Sequence, residues 1–177
     1  MTFRPCSIFP MLAALACGCA GSFQADVSDI EITQRGLKMP GVPGTTPASD
    51  ASVASSYTYS SCNTAWAKRL NQNVRVHNIT IAASGSVPNL EFLDFARVTA
   101  TNPASPESTI ELLSYDRSEA ASSDSDIEVS MPAPVDITTI WSAGKAVIEL
   151  QVAGQLPGQD WTVDVTINLS GRMTYEL

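Results

Sequence analysis

The stretch "WTVDVTINLSGRMTYEL", Trp161 to Leu177, carries the clearest structural pattern of the chain. Its odd positions read Trp, Val, Val, Ile, Leu, Gly, Met, Tyr, Leu, and its even positions Thr, Asp, Thr, Asn, Ser, Arg, Thr, Glu. Side chains of an extended chain alternate between two faces, so a period of two held this long describes β structure with one face buried. At about 3.3 Å per residue the segment is longer than most strands. Gly171 is where a bend is expected, letting one strand serve both ends of a sandwich.

The same alternation recurs upstream. Ala146, Ile148, Leu150 and Val152 alternate with Val147, Glu149 and Gln151, a strand with one face inward. "FARVTA" (Phe95 to Ala100), "STIELLSY" (Ser108 to Tyr115) and "DIEVSM" (Asp126 to Met131) read as strands separated by turns rich in Pro, Ser and Asp. Val74 and Val76 lead into Ile79 and Ile81 on the other parity, which predicts a β-bulge near His77 and Asn78. Ile30 and Ile32 are likewise followed by Leu37 and Met39 with Gly36 at the switch, and these residues are expected to join the main sheet. Tyr57 and Tyr59 mark a further strand.

Two segments have helical rather than strand spacing. In "DITTIWSAGK" Ile137, Ile140 and Trp141 share a helical face, with Asp136 to cap the start and Gly144 the end. In "NTAWAKRL" Trp66 and Leu70 stand four apart behind Asn63. Roughly seven to nine strands without strand-helix-strand alternation indicate an all-β chain, an antiparallel β-sandwich of immunoglobulin-like architecture, with a barrel as the alternative. The Cys…Trp…Cys spacing of true immunoglobulin domains is absent, so the term describes architecture only.

The amino terminus reads differently. Arg4 is the only side-chain charge before Asp26, and Cys6 to Cys17 is an uncharged apolar run interrupted by Pro10. It is too short to span a bilayer and has the form of a signal-peptide core. "LACGCAGSF" follows, and resembles the lipobox of bacterial lipoproteins, in which a small residue precedes the cysteine that becomes the acylated first residue. Cys17 and Cys19 compete for that role; Leu15 is bulky where a small residue is usual, which favours Cys19. Ala14-Leu15-Ala16 also fits an ordinary cleavage site, which would give a soluble secreted chain.

The expected organisation is a signal peptide over 1–18, a tether over 19–28 and a β-sandwich domain over 29–177. That domain carries a flexible loop at 40–56, where "PGVPGTTPASDASVASS" has almost no bulky residue. Maturation at Cys19 leaves Cys62 as the sole free thiol. The whole chain carries a formal charge of −8. Loss of Arg4 leaves 9 Lys and Arg against 18 Asp and Glu, a net −9. That balance disfavours nucleic acid and anionic surfaces as partners.

No residue set carries catalysis. His77 is the only histidine and no G-x-S-x-G elbow is present, so it is read as a solvent-facing strand residue. Asp116, Glu119, Asp124, Asp126 and Glu128 lack the Gly and spacing of a calcium loop and read as a solvated acidic turn. Trp66, Trp141 and Trp161 lie in amphipathic patterns that predict burial rather than a sugar platform. No cofactor or metal is expected, and Asn78-Ile79-Thr80 and Asn168-Leu169-Ser170 match glycosylation sequons by coincidence.

"VSDIEITQRGLKMPGVPG", "RVHNITIAAS" and "DWTVDVTINLSG" together resemble segments of uncharacterised bacterial lipoproteins with a single β-sandwich domain. This resemblance implies no activity and no site residues. With no catalytic set in the sequence, the expectation is a non-enzymatic component of the cell envelope, held to the membrane by the lipid that the lipobox resemblance implies on Cys19, with a protein or glycan partner left open. Ala20 stands where an Asp would favour retention in the inner membrane, which implies the outer membrane. A glycan- or calcium-binding module, secreted or anchored, is the alternative.

Overall fold

The structure, a computed structural model, describes residues 22–44, 51–60, 69–119 and 126–176. Eight strands follow in chain order: β1 (Ser22–Met39), β2 (Ala51–Ser60), β3 (Leu70–Ser84), β4 (Leu93–Asn102), β5 (Ser105–Asp116), β6 (Ile127–Asp136), β7 (Lys145–Gly154) and β8 (Trp161–Glu176). One sheet runs β1-β8-β3-β6 and the other β2-β7-β4-β5. Strands β1 and β8, β2 and β7, β3 and β6, β4 and β5 pair antiparallel. The chain is thus one long ribbon folded back at the β4–β5 turn and rolled so that successive pairs alternate between sheets. This is the jelly-roll arrangement. The antiparallel sandwich read from the sequence forms; its immunoglobulin-like architecture holds as two packed antiparallel sheets, and the strand order within them is jelly-roll.

Strand β8 lies between β1 and β3 and supplies the centre of the core. Trp161, Val163, Val165, Ile167, Leu169 and Met173 are all buried, as the alternation requires. They meet Val74, Val76, Ile79 and Ile81 of β3, and the inward residues of β4 and β7 from the facing sheet. Trp161 packs edge-on against Phe92, with ring centroids 5.1 Å apart.

The expected bend at Gly171 does not occur. Strand β8 stays in one sheet throughout its length, and Gly171 answers a demand for space, because a Cβ there would stand 2.6 Å from Leu70 Cδ1. Two boundaries also move. Strand β1 begins at Ser22, inside the expected tether at 19–28, because residues 22–27 pair with β8 from Glu176 to Gly171. Strand β2 occupies Ala51 to Ser56 of the expected loop at 40–56, held by an unbroken ladder to β7.

Both expected parity switches are register shifts. In β1 the shift lies between Gln34 and Leu37, with Gly36 at φ 61°, a conformation that glycine adopts without strain. In β3 it lies between Val76 and Asn78, leaving His77 as the extra residue. Ile30 and Ile32 pair with Leu169 and Ile167, so the first segment does join the main sheet. Between β6 and β7, α1 (Thr138–Ser142) is a single turn that buries Ile140 and Trp141. The Asp136 carboxylate accepts the Thr138 N–H at 2.8 Å, and the Gly144 N–H donates to the Trp141 carbonyl. The expected turn at Asn63 lies outside the described residues up to position 68.

Candidate functional site

The irregular ladder of the β1-β8-β3-β6 sheet makes a groove. Strand β1 slips register between Val27 and Ile30, with Asp29 at φ 59°. Across β8, strand β3 slips between Gln72 and Arg75, with Asn73 at φ 51°. Asn and Asp tolerate the left-handed region better than other side chains, so these residues suit bulges that need it. The two bulges flank Ser170 and Gly171 and open a cavity of about 330 Å³ lined by Asp26, Val27, Ser28, Asn73, Arg75, Ser170 and Gly171.

The charges around it are partly committed. Arg172 grips Asp26 with Nε at 2.7 Å and a second nitrogen at 3.3 Å. The hydrogen bonds from that guanidinium hold the Asp26 carboxyl below the usual carboxylate range. Asp136 is also held low, first by the Thr138 hydroxyl and backbone N–H and only last by the charge of Arg75. The Arg75 guanidinium makes no side-chain hydrogen bond or salt bridge among the described residues, and its charge acts on Asp136. The groove therefore offers a guanidinium without a hydrogen-bond partner beside amide and hydroxyl groups, a set suited to a polar ligand bearing hydroxyl or carboxylate groups.

His77 sits at the rim of this region. Its Nε2 shares a hydrogen bond with Ser170 Oγ at 2.5 Å, and both residues are solvent-facing. A serine–histidine dyad needs a third group on the other ring nitrogen and donors for an oxyanion. No carboxylate bonds His77 among the described residues, so the pair closes the bulge as a structural contact.

The remaining candidates disperse. Trp141 and Trp161 are buried in the core, 5% and 2% exposed, which removes them as a sugar platform. Asp116 accepts from the Ser118 hydroxyl and N–H, which lower its carboxyl pKa. Glu128 accepts from Asn78 Nδ2 at 2.8 Å, and Asp126 faces the Ala83 N–H at 3.4 Å. These carboxylates serve separate local contacts, and no group of metal-ligating side chains occurs among the described residues. Cys17, Cys19, Cys62, Trp66 and Asp124 lie outside the described residues, and Glu119 is described in its backbone alone.

A second cavity of about 30 Å³ lies between the sheets, walled by Tyr57, Tyr59, Val76, Ile140, Trp141 and other apolar side chains. The Tyr57 hydroxyl is buried without a partner, and burial pushes its pKa well above the ordinary tyrosine value. The walls of this space are apolar and offer a water no set of hydrogen-bond partners, so it is a small packing void rather than a ligand site. The groove escaped the sequence reading because it depends on register across three strands; its one local signal is Asp or Asn at each of the two bulges.

No family model matches the chain, and no curated protein matches it at a significant level. Among solved structures it is similar to a carbohydrate-binding module from the β-sandwich super family, at 10% identity and a TM-score of 0.33, over 90% of this chain and 58% of that one. It is similar to a Desmodium yellow mottle tymovirus chain at 10% identity and a TM-score of 0.32, over 97% of both. A chain of the Macrobrachium rosenbergii nodavirus semi-empty VLP gives 8% identity and a TM-score of 0.37, over all of this chain and 96% of that one. Likenesses this distant carry no argument about function.

Proposed function

We propose that this chain is a non-enzymatic lipoprotein of the bacterial cell envelope, a jelly-roll domain displayed from the outer membrane by an acyl group on Cys19. The observation that carries the reading is the apolar run and small-residue cysteine site at Leu15 to Phe23, followed so closely by the first strand. Only Ala20 and Gly21 stand between Cys19 and Ser22. An acylated Cys19 therefore keeps the Ser22 end of the sandwich within about 10 Å of the lipid, since extended chain covers at most ~3.6 Å per residue. In this reading the domain rides on the bilayer surface, and its groove presents Arg75, Asn73 and Ser170 to a polar envelope component.

Intact-mass analysis of the mature protein from a bacterial membrane fraction tests the anchor. A diacylglyceryl mass on a chain starting at Cys19, lost from the membrane fraction in Cys19→Ser, is the expected result. An unmodified chain starting at Cys17 and recovered only in the soluble fraction overturns it, leaving a secreted binding domain as the reading.

A further inference from the structure

A sandwich of two open sheets has four edge strands, each presenting unpaired backbone groups to solvent, and three of these are guarded. Strand β1 is broken by two register shifts and carries Asp26, Asp29, Glu31, Arg35 and Lys38. Strand β6 contains Pro132 and Pro134. Strand β5 contains Pro106, and its ladder to β4 shifts twice. Bulges, charges and prolines are the devices that keep an edge from accepting another strand.

Strand β2 has none of them. "ASVASSYTYS" contains no charged residue, no Pro and no Gly, and it pairs with β7 from Ala51 to Ser60 without a shift. Its other side meets no strand, and no further backbone hydrogen bond reaches residues 51–60 among the described residues. About half of its N–H and C=O groups therefore point along a straight, uncharged edge, since these alternate between the two sides of a strand.

We infer that β2 is a self-association edge, pairing antiparallel with β2 of a second copy to join two four-stranded sheets into one of eight. Among protein partners, a strand is what matches a row of alternating donors and acceptors. The sequence of β2 is also compatible with its own reverse. Residues opposite each other in a ladder must point to the same face, so the two-fold axis passes through Ser55 or Ser56. Either choice sets Ala54, Ser56 and Thr58 of one copy against small, uncharged partners on the exposed face. Val53, Tyr57 and Tyr59 of both copies then continue the inner face. Two mature molecules, each of net charge −9 once Arg4 is lost, repel over most of their surfaces, and this edge is where they meet without like charges against each other. A closed, isologous pair follows.

The test is the mass of the mature full-length protein by sedimentation equilibrium across micromolar to millimolar concentration, for the wild type and for A54K/S56K. With the axis at Ser55 the lysines at positions 54 and 56 lie opposite one another in the two copies, and with the axis at Ser56 the two lysines at position 56 do. Within one chain they lie beside Gln151 and Glu149, so the monomer keeps its fold, which thermal unfolding at low concentration checks. The expected result is a monomer–dimer equilibrium in the wild type, weakened at least tenfold by the double substitution with monomer unfolding unchanged. A wild type that stays monomeric at millimolar concentration overturns the inference, as does a dimer that the lysines leave intact. Neither outcome bears on the lipid anchor.

Discussion

Strands β1 and β2 follow one another in the chain and touch across the side of the sandwich, yet they solve the edge problem in opposite ways. Strand β1 spends 18 residues with two register shifts against β8. Strand β2 spends 10 residues with none against β7. Each shift in β1 takes an edge out of plane, and the one beside Asp29 becomes one wall of the groove. Irregularity here converts an edge into a concave polar surface, whereas regularity leaves an edge able to take a strand.

The largest loss of stability is expected at the glycine that ends the regular ladder. Gly154 closes β7, opposite Ala51 of β2 and Leu93 of β4. At φ 145°, a Cβ there would lie 2.2 Å from the Phe92 carbonyl oxygen and 2.8 Å from the Asp94 nitrogen. Both obstacles are backbone, so no rotamer change relieves them. Gly154→Ala is expected to cost about 3 kcal/mol or more, from overpacking plus strain. For a domain of this size that lowers Tm by roughly 10 °C. Unfolding within 1–2 °C of wild type would mean that the β2–β7 ladder ends before Gly154.

Gly36 is the matching test in the bulged strand, and it should be mild. Its φ of 61° is left-handed, but nothing lies within 4 Å of where a Cβ would stand. Gly36→Ala therefore meets only backbone strain, about 1 kcal/mol, seen as a denaturant midpoint slightly lowered with the slope unchanged. A loss as large as that of Gly154→Ala would show that the bulge is a packed feature of the core rather than a relaxed edge.

How much of this was legible depends on where the inward side chains are large. In β8 and β7 nearly every inward position is Val, Ile, Leu, Met or Trp, so period two stood out and the buried residues are the ones it named. The switches at Gly36 and His77 were visible because Ile and Val sit on both sides of each. The start of β2 was not, because its inward residues Ala51, Val53 and Ser55 include two too small to mark a face. It is a strand through the pairing that β7 offers, a tertiary cause absent from local sequence. Residues 22–28 read as part of a tether for a similar reason: Ala25 and Val27 are too sparse to declare a strand, and β8 extends far enough to pair with residues 22–27. Assignment of strands to sheets, and with it the groove, required register between residues about 50 to 150 positions apart.

The smallest effect concerns the rim of that groove, and it separates a committed carboxylate from an available one. Asp26 and Arg172 are exposed, so their attraction is screened and adds little to stability. The bond should nevertheless be visible in titration. Because the folded pKa of Asp26 lies below its unfolded value, the contribution is present above the unfolded value, in the usual carboxylate range near pH 4, and is lost as pH falls through the folded value. Arg172→Ala removes the donor, so the Asp26 carboxyl carbon followed by NMR should titrate at higher pH, back toward the ordinary aspartate range, with Tm at neutral pH almost unchanged. The same substitution leaves Arg75 in the groove beside a carboxylate without its guanidinium, which shifts the local balance toward cations. An Asp26 titration unmoved by Arg172→Ala would mean that this carboxylate is already free to meet a ligand, and the groove would then be read as acidic rather than as centred on Arg75.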